Sequence, residues 1–194
     1  MIIFPTGITI TDTEQACLLH MVPDAEAWLR GAITEKARLR QAALIAEWRP
    51  RLFADPAVTE LPADARQLCD LIMARSDYKT RVQRDAAQTP PESADRHHIA
   101  RHAAIDRSGS TVTLFSSGID LSDIDAGCIL AYVQVLEDWV LGGLLGQINR
   151  GRKKMLAQYH PIILADSSVT TMPATEDGLI TMIIARSDYQ RLGG

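Results

Sequence analysis

The tetrapeptide Arg-Ser-Asp-Tyr occurs twice, at residues 75–78 and 186–189. A serine beside an aspartate raises nucleophilic catalysis, which needs a base within hydrogen-bond reach of the hydroxyl. Neighbouring helical residues point about 100° apart, and no histidine follows Ser76 or Ser187 at a repeated position. Both copies therefore read as helix ends. Arg75 with Asp77, and Arg186 with Asp188, would pair with a neighbouring element, while Tyr78 and Tyr189 would pack with the hydroxyl at an edge. That edge lies inside the protein or at a subunit interface, which makes these six residues the interface candidates.

His97, His98 and His102 are the one metal-like grouping. Two imidazoles four or five residues apart on a helix can share a cation, yet only Asp95 and Asp106 stand near them, so they read as solvent-exposed linker histidines. Cys17, Cys69 and Cys128 form no CxxC pair and read as small buried apolar residues in a reducing compartment. Arg150-Gly151-Arg152-Lys153-Lys154 is the sharpest charge feature and has a basic counterpart in Lys36, Arg38 and Arg40. Phosphate contact is one reading of these faces, and a solvated helix surface paired with acidic neighbours is the other. Gly142-Gly143-Leu144-Leu145-Gly146 follows no strand, so it is not a phosphate loop; its glycines read as permitting close helix approach. No catalytic residue, cofactor or metal is expected.

The elements that carry these groups repeat. With an offset of 111 residues, 4–78 aligns on 115–189 without a gap, and 25 of the 75 positions are identical. The sequence thus reads as two tandem copies of a mainly α (α+β) unit: a β-hairpin, a short helix, a long helix and a final helix. The division is repeat unit 1 at 1–81, linker at 82–110 and repeat unit 2 at 111–194. Within each copy, Pro5-Thr6-Gly7 or Ser116-Ser117-Gly118 signals a hairpin turn between the β-prone runs Ile2-Ile3-Phe4 and Ile8-Thr9-Ile10, or Val112 to Phe115 and Ile119 to Leu121. A lone hairpin is barely stable, so its strands should also pair with the other copy or another chain. Thr11-Asp12-Thr13-Glu14 has capping-box spacing, and Ser122 to Asp125 is the weaker counterpart. Asp12 and Asp123 are expected to satisfy free N–H groups there. Trp28 and Trp139 are expected to anchor the long helices in the core. Pro50 and Pro161 should kink or stop those helices, and Pro62 and Pro173 should open the final ones, capped from Thr59 or Thr170. In the linker, a short helix is expected near 99–105.

Hydrophobic residues make up 46% and charged ones 23%, which fits a soluble helix-rich protein. The net charge of −4 argues against coating nucleic acid. Met1-Ile2-Ile3-Phe4-Pro5 has neither a basic region nor a long apolar run, so no signal peptide is expected. The apolar window 128–145 carries Glu137-Asp138 and reads as a buried helix rather than a membrane span.

The first copy resembles a group of short phage-encoded proteins of tail gene clusters. The likeness rests on residues 8–14, 24–28, 32–38, 54–56 and 61–64. It implies a virion structural or assembly role without enzymatic activity. The expected function is that of a phage virion structural protein of the tail, baseplate or fibre-attachment region, located in the virion and, before assembly, in the host cytoplasm. Its expected partners are other phage tail or fibre proteins and further copies of itself, with a trimer favoured. Copy two carries 15 charged residues from Ser110 onward against 21 in residues 1–81 and should take the more enclosed place. The alternative is a nucleic-acid-contacting head or packaging factor that uses the basic helix faces.

Overall fold

The computed structural model describes residues 1–88 and 110–191. These residues are mainly helical, with small antiparallel sheets. In chain order they form β1 (Ile2–Ile3), β2 (Ile8–Thr11), α1 (Asp12–Leu19), α2 (Ala25–Ala54), α3 (Ala65–Met73), α4 (Arg81–Gln88), β3 (Thr111–Leu114), β4 (Ile119–Asp120), α5 (Asp123–Leu130), α6 (Leu136–Ala165) and α7 (Glu176–Ile184). No helix among them is long and apolar enough to cross a membrane. The histidines at 97, 98 and 102 and the short helix expected near 99–105 lie outside the described residues.

The expected hairpins are corrected by the strand pairing. β1 pairs with β4, placing Ile3 opposite Ile119, and β2 pairs with β3, placing Ile8 opposite Leu114 and Thr11 opposite Thr111. Each ladder therefore joins a strand from the first half of the sequence to one from the second. The connections β1–β2 and β3–β4 share an unusual backbone. Phe4 and Phe115 have φ of 50° and 52°, and Gly7 and Gly118 have φ of 79° and 81°. Each connection thus holds two residues of positive φ, and at Gly7 a Cβ would lie 2.7 Å from the Leu114 carbonyl oxygen.

The described residues fall into two compact units, and each takes segments from both halves of the sequence. The first comprises 1–5, 30–88 and 118–140, and the second 6–29, 110–117 and 141–191. In the first unit Leu44, Trp48 and Leu52, four residues apart, form one stripe on α2. They pack with Leu68, Cys69 and Ile72 of α3, Cys128 of α5, and Ala131. Burying a side chain of leucine size contributes about 1.5–3 kcal/mol, so this stripe is the main reason α2 holds its place. In the second unit α6 buries Leu144, Ile148, Met155, Tyr159 and Ile163 along one face, and α1 packs on α7.

Helix boundaries show the local chemistry. Thr11 caps α1: its hydroxyl accepts from the Glu14 N–H (3.2 Å), and the Glu14 carboxylate accepts from the Thr11 N–H (2.8 Å). Ser122 caps α5, accepting from the Asp125 N–H (3.1 Å). The caps are thus Thr11 and Ser122 rather than Asp12 and Asp123, which are the first helical residues and point outward. An acidic residue there still favours the helix through the macrodipole. Pro50 and Pro161 do not stop α2 and α6, each of which runs four residues further. The final helices start after the expected prolines, at Ala65 and Glu176, capped by Asp64 and Thr175. Asp64 accepts from two N–H groups, of Arg66 and Gln67, and so outcompetes the more distant Thr59.

Trp28 and Trp139 are half-buried, and the tryptophan that fills a core is Trp48, 3% exposed. Lys36 sits over the Trp139 ring at 5.4 Å, a cation–π contact rather than a core anchor. A Cβ at Gly142, Gly143 or Gly146 would meet nothing within 4 Å among the described residues, so these glycines permit no close approach there. Gly151 does: a Cβ there would collide with the Cys17 carbonyl oxygen, so its absence lets α6 lie against α1.

Candidate functional site

Both Arg-Ser-Asp-Tyr segments follow a final helix directly and perform the same closure in their own units. After α3, the Arg75 guanidinium pairs with Asp55 (2.8 Å) and Asp77 (3.0 Å). After α7, Arg186 pairs with Asp166 (2.9 Å) and Asp188 (2.8 Å). Asp55 and Asp166 stand just past the ends of α2 and α6, so each arginine clamps the end of a long helix to the end of a final one. The tyrosines reach further along the sequence. Tyr78 donates to the Gly127 carbonyl of α5 (3.3 Å), and Tyr189 donates to the Ala16 carbonyl of α1 (3.4 Å). The structure therefore brings the six interface candidates together in two groups of three, and their polar contacts lie within the chain.

The carboxylates respond accordingly. Hydrogen bonds from Ser168, and then the Arg186 guanidinium, hold the Asp166 pKa down to about 2. The Ala57 N–H and then Arg75 lower that of Asp55, and Arg186 lowers that of Asp188. Ser187 beside Asp188 is exposed.

Aromatic rings back each closure. Trp48 lies 6.1 Å from Tyr78, and Tyr159 lies 5.8 Å from Tyr189. The Tyr159 hydroxyl also accepts from the Gln190 N–H (3.3 Å). His20 is stacked on Tyr189 and edge-on to Tyr159, both at 6.3 Å, and is only 5% exposed. Neither of its ring nitrogens completes a hydrogen bond of good geometry, although Gln158 and the Gln190 backbone lie beside the ring. Burial, then the Lys154 charge, pushes its pKa below the usual value.

Outside these closures, each unit carries a surface depression along its long helix and the start of its final helix. In the first unit Ala42, Ile45, Ala46 and Ala65 form an apolar floor flanked by Arg38 and Arg49, enclosing about 400 Å³. In the second, Leu156, Ala157, Pro161 and Leu179 form the floor, with His160 and Glu176 at the rim, enclosing about 470 Å³. Phe53 and Leu164, close to the ends of the same helices, are 73% and 65% exposed. Each depression thus has an apolar floor and a polar or charged rim.

Much of the basic surface is already engaged. Arg38 bonds Glu35 (2.7 Å), Arg150 bonds Gln147 (2.6 Å), and Arg152 pairs with Asp177 (2.9 Å) and Glu176 (3.5 Å). Arg40 lies over the Tyr132 ring at 4.6 Å. Among the described residues no group of three or more His, Cys, Asp or Glu side chains could hold a metal ion.

Sequence reasoning found Arg75, Asp77, Tyr78 and their partners at 186–189 but missed Asp55 and Asp166 as the other arm of the clamp. Their signal was present, since Asp55 and Asp166 are identical under the 111-residue shift. The carbonyls of Gly127 and Ala16 carry no such signal, because a backbone acceptor leaves no mark on residue type.

No family model, no curated protein and no solved structure matches the chain.

Proposed function

We propose that the chain is a tandem duplication acting as a non-enzymatic structural component of a phage virion, at the level of tail, baseplate or fibre attachment, through protein–protein contact. One observation carries the reading: closing either compact unit takes segments from both halves of the sequence. β1 pairs with β4, β2 with β3, and each tyrosine bonds a carbonyl from the other half. The helix bounds support the duplication, since α1 and α5, α2 and α6, and α3 and α7 start 111 residues apart at 12/123, 25/136 and 65/176. A unit that must borrow its last strand and helix contact from a homologous copy is built for copy-to-copy association.

The two depressions then give the chain two similar apolar faces with different rims. Three chains would present six such faces while keeping threefold character, which suits a junction between sixfold tail and threefold fibre. The trimer belongs to this proposal. The rival reading, a nucleic-acid-contacting head or packaging factor, has less support because Arg38, Arg150 and Arg152 are taken up by partners within the chain.

Light scattering or native mass spectrometry of the purified chain, together with peptide mass spectrometry of purified virions, tests the proposal. A trimer that is present in the particle is the expected result. A stable monomer absent from virions would sink it.

A further inference from the structure

The first unit contains a pair of thiols with no duty in the closure described above. Cys69 on α3 and Cys128 on α5 are both wholly buried in the core formed with Leu44, Trp48 and Ile72. α3 and α5 pack on each other, and the two thiols lie in the same buried cluster. Both are free thiols. The third thiol, Cys17 on α1, belongs to the second unit. There α1 packs on α7, which carries no cysteine, so no second thiol stands on the facing helix.

We propose that Cys69 and Cys128 form a two-electron oxidation site, closing to an intrachain disulfide when the protein meets a hydroperoxide. The inference stands on the thiol pair alone and does not depend on the proposed virion role. Juxtaposition decides between a pair that closes and one that over-oxidises: a sulfenic acid is trapped when a second thiol already faces it. Cys128 beside it lowers the pKa of Cys69, which favours Cys69 as the attacking sulfur. A hydroperoxide is small enough to enter during local opening of α3 from α5.

The steps balance. The Cys69 thiolate attacks one peroxide oxygen, the O–O bond breaks, an S–O bond forms and hydroxide leaves. The Cys128 sulfur then attacks the Cys69 sulfur, the S–O bond breaks and the S–S bond forms. The Cys128 proton and the departing hydroxyl leave as water. Two thiols are oxidised and one peroxide is reduced to two waters. The product ties the final helix of one half of the sequence to the short helix of the other. By closing a long loop it would raise the melting temperature of the first unit.

Hydrogen peroxide is the probe. After graded exposure, the full chain is unfolded, its remaining thiols are capped with a maleimide, and intact mass and peptide maps are recorded. The expected result is loss of two hydrogens, a Cys69–Cys128 linked peptide, fully capped Cys17, and complete reversal by dithiothreitol. The oxidised chain should also melt at a higher temperature than the reduced one. Capped Cys69 and Cys128 at doses that oxidise methionine would overturn the proposal. Disulfides between chains or to Cys17, or sulfinic acid at Cys69, would do the same. The map is read on the unmutated protein, so no variant has to fold for the result to count.

Discussion

Trp48 of α2 stands 6.1 Å from Tyr78, and Tyr159 of α6 stands 5.8 Å from Tyr189; the two rings back the same arginine clamp and the same tyrosine-to-carbonyl bond. What lies around them differs. The first unit fills its core with an indole, two facing thiols and Ala131. The second has the phenol ring, the unpartnered imidazole of His20, and Gly151 against the Cys17 carbonyl. The residues that close the units are alike while the residues that fill them diverge. Closure is a demand of geometry, met by one guanidinium and one hydroxyl at fixed places. Filling is a demand of volume, which many side chains can meet.

The largest test of this comparison is truncation of the buried rings. Trp48→Ala should cost about 3–5 kcal/mol, read by urea denaturation, because the indole is almost wholly buried. The same substitution at the half-buried Trp28 or Trp139 should cost clearly less. Equal losses at Trp48 and Trp139 would erase the distinction between a core tryptophan and a surface one.

Glycines give the next contrast. Gly151→Ala must push α6 away from the Cys17 carbonyl and should cost about 1–3 kcal/mol. Gly142→Ala meets open space and should gain up to about 1 kcal/mol through helix propensity. If both changes destabilise, the assignment of Gly151 as the close-contact glycine is wrong.

Closure itself is probed by Tyr78→Phe and Tyr189→Phe. Each removes a single hydroxyl donor and should cost about 0.5–1.5 kcal/mol, by a similar amount in the two units. A large inequality would mean that the tyrosines do not play matching roles.

The smallest effect belongs to pH and to the second unit alone. Ala131 packs in the first unit, whereas His20 has a lowered pKa among Tyr159, Tyr189, Gln158, Gln190 and Lys154. The unfolded chain takes up the proton first, so the stability contribution is full above about pH 6.5 and declines as pH falls through that value. Melting temperatures measured from pH 8 to pH 5 should therefore drop, and His20→Ala should flatten that part of the profile. An unchanged slope in the variant would remove His20 as the cause.

The amino-acid sequence alone made the helices of both halves legible, but not α4, which occupies Arg81–Gln88 where the sequence reads as the start of a linker. Apolar spacing marked α2 and α6, the capping box marked α1, and the repeated Arg-Ser-Asp-Tyr marked the ends of the final helices. These are local patterns, set by side-chain periodicity and by hydrogen bonds between residues three or four apart. Pro62 and Pro173 carry a strong start signal, yet the final helices begin later, at Ala65 and Glu176, because the side chains that cap are Asp64 and Thr175. Which strand meets which, and which carbonyl each tyrosine finds, was decided only in three dimensions. β-prone runs state that they need a partner but not whose, and a backbone acceptor has no residue type to read. Hairpin pairing and exchange between halves satisfy the same N–H and C=O groups, so local sequence does not select between them, and the pairing of β1 with β4 and β2 with β3 is a tertiary outcome.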